Sequence, residues 1–163
     1  MNIRSVIELG CGDGHQLGLV AYPRYVGLDV SATAIRQCMA RYGQEPTKSF
    51  IAYDPMAFHD PAGALRADAA LSLDVLFHLV EQDVFDRYMV HLFGAAERLV
   101  VIYAPDRDRE QRFHERERSF TRHIAAYYPE WTSIRHIPNP YPFDAADPRN
   151  TSDASFHVFE RQR

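Results

Sequence analysis

The sequence has little of what disulfide-stabilised, membrane-spanning or nucleic-acid-binding proteins need. Only two cysteines, Cys11 and Cys38, occur among 163 residues, so we expect reduced thiols rather than a disulfide framework. The chain has no run of about 18 apolar residues that would span a bilayer, and its start lacks the apolar stretch of a signal peptide. The formal net charge is -4, whereas nucleic acid favours a basic surface. We therefore predict a cytoplasmic protein with no membrane or nucleic-acid partner.

The histidines give no metal-ligand pattern. Eight of them occur, but they are scattered, with no close-spaced pair and no accompanying cysteine cluster. They stand at positions 15, 59, 78, 91, 114, 123, 136 and 157. This scatter is typical of surface histidines, so we predict no metal site.

Short apolar runs alternate with helical patterns along the chain. Strands are predicted at residues 6–9, 25–29, 49–53, 69–73, 99–103, 132–137 and 156–159, and helices at residues 15–21, 31–42, 84–93 and 113–128. In the last helix, Phe113, Phe120, Ile124 and Tyr127 are expected to face inward. This alternation favours an α/β fold with a doubly wound, mostly parallel sheet. Residues 138–154 show no helical pattern, so the seventh strand should be antiparallel. We predict one domain over residues 1–163.

A glycine-rich turn follows the first predicted strand in the stretch VIELGCGDGHQL. Gly10, Gly12 and Gly14 would lie at the carboxyl end of that strand, where open parallel sheets bind their ligands. Asp29 ends the next strand, 19 positions after Gly10, which is the place of an acid that binds a ribose diol. The pattern therefore predicts a nucleoside ligand close to the glycine backbone.

The same turn argues against a dinucleotide or a phosphate loop. A dinucleotide fingerprint needs a third glycine where this sequence has His15. No lysine follows the turn to bind phosphate. A nicotinamide-dependent oxidoreductase is therefore the weaker alternative.

Four segments together resemble a known enzyme superfamily. ELGCGDG resembles the first motif of class I S-adenosylmethionine-dependent methyltransferases, and YVGLDVS resembles their second. Asp54 in IAYDP matches the acid after their third strand, and LSLDVLFHL resembles their fourth motif. The motifs occur in the family's order and cover most of the chain. The resemblance implies a Rossmann-like fold, S-adenosylmethionine as cofactor, and methyl transfer.

The resemblance also implies a set of cofactor-binding residues. Asp29 would bind the ribose hydroxyls, Asp54 the adenine amino group, and the backbone of residues 10–14 the methionine end. Because Pro55 has no N–H, the next backbone donor for adenine belongs to Met56. The predicted set is Glu8, Gly10, Cys11, Gly12, Gly14, Asp29, Val30, Asp54, Met56 and Asp74.

The acceptor site is expected at the same edge of the sheet. Asp74 and His78 are four residues apart, which would place them on one face of a helical turn. His78 or Tyr103 would accept a proton from the acceptor, unless His78 only packs at the helix start. Tyr141 and Phe143 would line the site. The resulting hypothesis is O- or N-methylation of a small organic substrate.

Two points remain open from the sequence: how the substrate is covered, and whether the domain is catalytic. The chain starts almost at the first strand, so it is expected to lack the upstream helices that cover the substrate in many relatives. An open pocket, a truncated chain or a lid from a second subunit of a homodimer would each account for this. A methyltransferase-like module that binds cofactor without catalysis is the alternative from another functional class.

Overall fold

The computed structural model describes residues 2–111 and 113–162, so Met1, Arg112 and Arg163 lie outside the described residues. Its centre is one seven-stranded sheet with the order β3-β2-β1-β4-β5-β7-β6. The strands are β1 (Val6–Leu9), β2 (Tyr25–Asp29), β3 (Lys48–Ala52), β4 (Ala67–Leu73), β5 (Ala96–Ala104), β6 (Trp131–Ile137) and β7 (Ser155–Arg161). The strand order reverses between β1 and β4, which is where open α/β sheets form their ligand crevice.

Strand directions agree with the predicted fold class. The strands β1 to β5 pair in parallel, and β7 pairs antiparallel with both β5 and β6. It follows that β6 runs parallel to β5. The loops after β1, β2, β4, β5 and β6 therefore all leave from the same edge of the sheet. The prediction of a mostly parallel seven-stranded sheet with an antiparallel C-terminal strand is confirmed.

Three helices cover the sheet: α1 (Ala32–Tyr42), α2 (Gln82–Ala95) and α3 (Phe120–Tyr127). Helix α1 begins where expected, because the Ser31 side chain accepts a hydrogen bond from the Ala34 amide at 3.2 Å. This cap satisfies one of the free amides of the first turn. Helices α2 and α3 pack into one core with β1, β4 and β5, and α1 packs into a second core with β1 and β2.

Two predicted helices are shorter than expected. The helix predicted at residues 15–21 is only a 3-10 turn at Gln16–Leu19, since glycines stand before and within so short a segment and weaken it. The helix predicted at residues 113–128 begins at Phe120. Asp106 and Asp108 accept hydrogen bonds from the Thr121 and Ser119 amides, at 3.1 and 3.0 Å, and so fix the helix start there.

The late start of α3 changes which side chains are buried. Phe120 and Ile124 are each 1% exposed, as predicted, but Phe113 is 94% and Tyr127 71% exposed. Phe113 precedes the helix, and it has a positive φ of 25°, so the helical spacing does not apply to it. The prediction that Phe113 and Tyr127 face inward is wrong.

The other differences are small. Strand β3 begins and ends one residue before the predicted range, while β4 and β5 are longer than predicted. Residues 53–66 form turns without a helix, as the two prolines and the glycine in this segment indicated. Within the described residues, no helix has both the length and the apolar character to cross a membrane.

Candidate active site

The glycine loop (residues 10–14) follows β1 and has a backbone that other residues would not easily adopt. Gly10 and Gly12 have φ values of +85° and +56°, a region that costs L-residues energy. A Cβ on Gly10 would lie 2.3 Å from Val75 Cγ2. At Gly12, no described atom lies within 4 Å of a Cβ position. The loop therefore needs its glycines and leaves open space beside Gly12.

Side chains from two helices hold the glycine loop in place. The Cys38 thiol donates to the Gly12 carbonyl at 3.2 Å, and the Tyr42 hydroxyl donates to the Gly14 carbonyl at 2.9 Å. From α2, the Tyr88 hydroxyl donates to the Leu9 carbonyl at 2.8 Å. The sequence analysis predicted the helices that carry these side chains but missed this role. The spacing of Cys38 and Tyr42 on one face of α1 was the available signal.

Asp29 connects the glycine loop to the end of β2. Its carboxylate accepts from the Gly12 amide and from the Ser31 amide, both at 2.8 Å. A carboxylate has about four lone-pair sites, so these two bonds orient Asp29 and leave acceptor capacity for the hydroxyls of a ligand.

The segment after β3 is arranged differently from the expectation. Asp54 accepts a hydrogen bond from the Met56 amide at 2.8 Å, and both residues are exposed. The backbone donor predicted to reach adenine is thus already bonded within the turn. Pro55 is buried and lines a cavity that lies beside the glycine loop.

A cavity of about 310 Å³ lies beside the glycine loop at the sheet edge. Its lining residues are Gly10, Asp29, Val30, Tyr53, Pro55, Leu73, Asp74, Val75, His78, Leu79 and Tyr88. Five of the predicted site residues therefore come together here: Gly10, Asp29, Val30, Asp74 and His78. The lining does not include Glu8, Cys11, Gly12, Gly14, Asp54, Met56, Tyr103, Tyr141 or Phe143.

Glu8 and Cys11 are both buried beneath the glycine loop. Glu8 is 4% exposed and accepts a hydrogen bond from the Tyr25 hydroxyl of the neighbouring strand. Burial raises the pKa of Glu8, an effect that the Tyr25 hydrogen bond opposes and the nearby Asp29 charge increases. Burial also raises the pKa of Cys11, which keeps its thiol protonated. Both side chains are placed to support the loop, and Cys11 lacks the thiolate that a nucleophile needs.

Asp74 and His78 share the cavity but not a helix face. Asp74 has a positive φ of 57°, and its amide donates to the Tyr103 carbonyl at 2.9 Å. His78 ends a separate 3-10 turn, Leu76–His78. The expected common helical turn is therefore wrong, because the chain bends at Asp74 and the 3-10 turn begins only at Leu76. Loss of hydration raises the pKa of Asp74, although the nearby His78 lowers it in part.

Two arginines hold the backbone that follows His78. They belong to the segment between β5 and α3, which we call the arginine loop (residues 105–119). Arg118 donates to the Leu79 and Val80 carbonyls at 2.6 and 2.7 Å. The Arg116 amide donates to the Phe77 carbonyl at 2.8 Å. Sequence reasoning missed this contact, because nothing in the charge pattern indicates which carbonyls the arginines reach.

The loop between β6 and β7 (residues 138–154) reaches the end of β5. The Asn139 side-chain amide donates to the Tyr103 hydroxyl at 2.7 Å, so Tyr103 and this loop are in direct contact. Tyr141 and Phe143 are 67% and 52% exposed. Their roles as walls of an acceptor site remain predictions.

The described residues contain no group of three or more His, Cys, Asp or Glu side chains that could hold a metal ion. The polar side chains that line the cavity include the carboxylates of Asp29 and Asp74. Carboxylates suit the hydroxyls and the cationic sulfonium of S-adenosylmethionine, and the open space beside Gly12 in the adjoining glycine loop permits close approach of a ligand to the backbone.

Comparison with known proteins gives the class first. In solved structures, the fold resembles the methyltransferase domain of bacterial CtHen1, with a TM-score of 0.74 and 19% identity over 99% of this chain and 91% of that chain. It also resembles the N-methyltransferase NodS from Bradyrhizobium japonicum, with a TM-score of 0.70 and 16% identity over 99% and 87%. A third similar structure is the magnesium protoporphyrin IX methyltransferase ChlM from Synechocystis PCC 6803, solved with bound S-adenosylmethionine. Its TM-score is 0.68, with 17% identity over 96% of this chain and 69% of that chain. The chain has the class I methyltransferase fold.

The family then follows from the sequence. A family model described as a methyltransferase domain matches residues 6–96, which is more than half of the chain. The chain therefore belongs to this family of S-adenosylmethionine-dependent methyltransferases, and S-adenosylmethionine is its cofactor. A search of curated proteins finds no match to the sequence.

Proposed function

We propose that this enzyme methylates an oxygen or nitrogen of a small organic acceptor. One observation carries the proposal: a single cavity is lined by Gly10 and Asp29 and also by Asp74 and His78. The first pair suits a nucleoside, and the second supplies groups that accept a proton. Cofactor and acceptor would therefore meet within this cavity, or at its mouth.

In this proposal, the residues of the first half hold the cofactor. Asp29 binds the ribose hydroxyls with the acceptor capacity left after its two backbone bonds. The methionine end of the cofactor lies close to the backbone of the glycine loop. The adenine packs against Val30, whose side chain is 70% exposed. Asp54 binds the adenine amino group with a carboxylate already oriented by the Met56 amide. The bound cofactor supplies the electrophilic methyl group.

His78 has the role of proton acceptor. It lines the cavity together with Asp74, and an imidazole nitrogen can take the proton that the acceptor gives up. Tyr103 is the second candidate, since its hydroxyl is fixed by Asn139 near the same edge. Methyl transfer requires mainly alignment of the two reactants. A base then adds a factor of about 100 to 10,000.

A nucleic-acid acceptor is the competing candidate, since the structural neighbours include the small RNA methyltransferase HEN1. The charges argue against it. In the arginine loop, Arg107 pairs with Glu117 and Asp153, and Arg109 also pairs with Glu117. Arg118 is engaged by backbone carbonyls. Little free positive charge remains on these side chains for phosphates, and the net charge of -4 points the same way.

The test combines binding with turnover. Calorimetry with S-adenosylmethionine, S-adenosylhomocysteine and NAD should give binding of the first two only, since the glycine pattern lacks pyrophosphate geometry. Formation of S-adenosylhomocysteine is then measured with a panel of hydroxylated and amino metabolites and with short RNAs. Turnover on a small metabolite supports the proposal. Turnover on RNA alone contradicts it, and cofactor binding without turnover on any acceptor supports the non-catalytic module.

A further inference from the structure

A second cavity, of about 240 Å³, adjoins the 310 Å³ cavity beside the glycine loop, which we call the cofactor cavity. Its wall is mainly apolar and includes Ile7, Leu9, Leu28 and Phe58. Tyr53 lines both cavities, and it is the only residue named in both linings among the described residues. The second cavity forms where residues 53–66 cross the sheet without a helix.

A glycine of α2 opens onto this cavity without a local structural reason. Gly94 lies within the helical range Gln82–Ala95, and its φ is not in the positive region. No described atom lies within 4 Å of a Cβ built on it. Glycine in a helix costs about 1 kcal/mol relative to alanine in the interior, and less near an end. Neither backbone geometry nor packing requires this glycine, which is exposed at the cavity wall, so a larger side chain there has open space to occupy.

Five of the residues that line this cavity have polar side chains: Tyr53, His59, Asp60, Arg66 and His91. The Tyr53 hydroxyl and His91 Nδ1 lie 2.7 Å apart and bond to each other, which leaves His91 Nε2 for one further hydrogen bond. Asp60 accepts from the Ala64 and Leu65 amides, each at 2.9 Å. Burial lowers the pKa of His91, an effect to which the charges of Arg87 and His59 add, so its imidazole is neutral near pH 7.

We propose that this cavity is a second small-molecule site, which takes an uncharged aromatic or aliphatic ligand with one hydrogen-bonding group. An apolar cavity of about 150 Å³ is enough to bind benzene, so this one accommodates a bicyclic ring. The apolar wall takes the ring, and His91 bonds the polar group. The site is distinct from the cofactor cavity, with which it shares only Tyr53 among the described lining residues.

Indole is a suitable probe, because it has a bicyclic apolar ring and a single N–H donor. Saturable binding of indole to the full chain is measured by ligand-observed NMR. The experiment is repeated in Gly94→Leu and Val90→Trp, which add bulk at two points of the cavity wall. Ala125→Leu on α3 is the matched control, since Ala125 is exposed and not among the residues that line this cavity.

The expected result is at least tenfold weaker indole binding in both filled variants and unchanged binding in Ala125→Leu. S-adenosylhomocysteine should bind all four proteins equally and should not displace indole. Equal indole binding in wild type and both filled variants would overturn the proposal, as would its absence in wild type or its displacement by S-adenosylhomocysteine. Because these readouts need no methyl acceptor, they separate this proposal from the proposed reaction.

Discussion

The two sides of the candidate active site are held in place by different means. On the cofactor side, Cys38, Tyr42 and Tyr88 donate hydrogen bonds to the backbone around the glycine loop. On the acceptor side, the arginine loop depends on partly exposed ion pairs such as that of Arg107 with Glu117. Exposed ion pairs contribute about 0 to 1 kcal/mol each, whereas an unpaired buried polar group costs about 1 to 3 kcal/mol.

This difference predicts which substitutions affect cofactor binding and which affect turnover. The cofactor side requires one backbone geometry, so a change there should affect binding strongly. The acceptor side consists of loops whose ion pairs tolerate other sequences, so changes there should affect turnover and specificity more than stability. The following substitutions test that division.

The largest effect is expected for Gly10→Ala. A Cβ at this position would meet Val75 Cγ2 at 2.3 Å, and the φ of +85° is unfavourable for alanine. Strain of this kind costs about 1 to 3 kcal/mol, and relief of the clash would displace the loop. We expect S-adenosylhomocysteine binding to weaken about 100-fold or more, as measured by calorimetry.

Gly94→Ala is the matched control for this substitution. It lies in a helix with open space around its Cβ, so it should leave binding unchanged and stabilise the fold by up to about 1 kcal/mol. Equal cofactor affinity in Gly10→Ala and wild type would show that the loop is not the binding element.

His78→Ala should separate chemistry from binding. We expect turnover on the acceptor to fall about 100-fold, with cofactor affinity nearly unchanged, because the Asp29 and glycine-loop contacts remain. The readouts are kcat from S-adenosylhomocysteine formation and the dissociation constant of the cofactor. Unchanged kcat would exclude His78 as the proton acceptor. A loss confined to cofactor affinity would place it in the cofactor site instead.

Asp29→Asn should weaken cofactor binding about tenfold, since a hydrogen bond to a charged group contributes about 1.5 to 3 kcal/mol. Asparagine keeps one oxygen for the backbone amides but loses the charge and half of the acceptor capacity. Asp13→Asn serves as control, because the contacts of Asp13 are a local hydrogen bond from the His15 amide, at 3.0 Å, and a 4.0 Å ion pair with Arg41. An unchanged dissociation constant in Asp29→Asn would remove Asp29 from the proposed ribose site.

Much of the cofactor side was predictable from the sequence, because its signals are local. Strands β1 and β2 have the predicted bounds, and Ser31 caps α1 as expected. Only the glycine motif and the end of β2 were needed to predict the glycine loop, Asp29 and Val30. What the sequence did not indicate was the bracing by Tyr88, which follows Leu9 by 79 positions. Contacts over such distances depend on tertiary packing rather than on residue spacing.

The acceptor side was less predictable for the same physical reason. The apolar spacing of Phe113 and Phe120 favoured one long helix, but side chains of Asp106 and Asp108 set its start at Phe120. Likewise, the four-residue spacing of Asp74 and His78 implied a helical turn, and a positive φ at Asp74 ended that regularity. Both errors occur in loops, where side-chain contacts override local periodicity.

The smallest effects concern two glutamates, one on each side, whose pKa values are shifted in opposite directions. Burial raises the pKa of Glu8 from its ordinary value of 4.5, despite the Tyr25 hydrogen bond. The folded state therefore binds the Glu8 proton more tightly than the unfolded chain does. The stability that Glu8 contributes is fully present below pH 4.5 and is lost as the pH rises through the folded pKa.

Glu117 should behave in the opposite way. Partial burial acts to raise its pKa, but the hydrogen bonds and charges of Arg107 and Arg109 outweigh burial and lower it below 4.5. Its contribution is present above that value and is lost as the pH falls through the folded pKa. The Glu117 side chain is mostly buried, but its arginine partners are partly exposed. Solvent therefore screens these ion pairs and keeps their contribution to stability small.

The measurement is the free energy of unfolding of wild type, Glu8→Gln and Glu117→Gln from about pH 4 to about pH 8, by denaturant titration. Subtraction of each variant from wild type cancels the other titrating groups. With rising pH, the difference for Glu8→Gln should decrease, by at most about 1.4 kcal/mol per pH unit. The difference for Glu117→Gln should increase at the acid end of the range and then level off. A raised pKa makes the stability contribution of an acid fall with rising pH, whereas a lowered pKa makes it rise. If both differences change with pH in the same direction, the carboxylates of Glu8 and Glu117 are therefore not held in different ways.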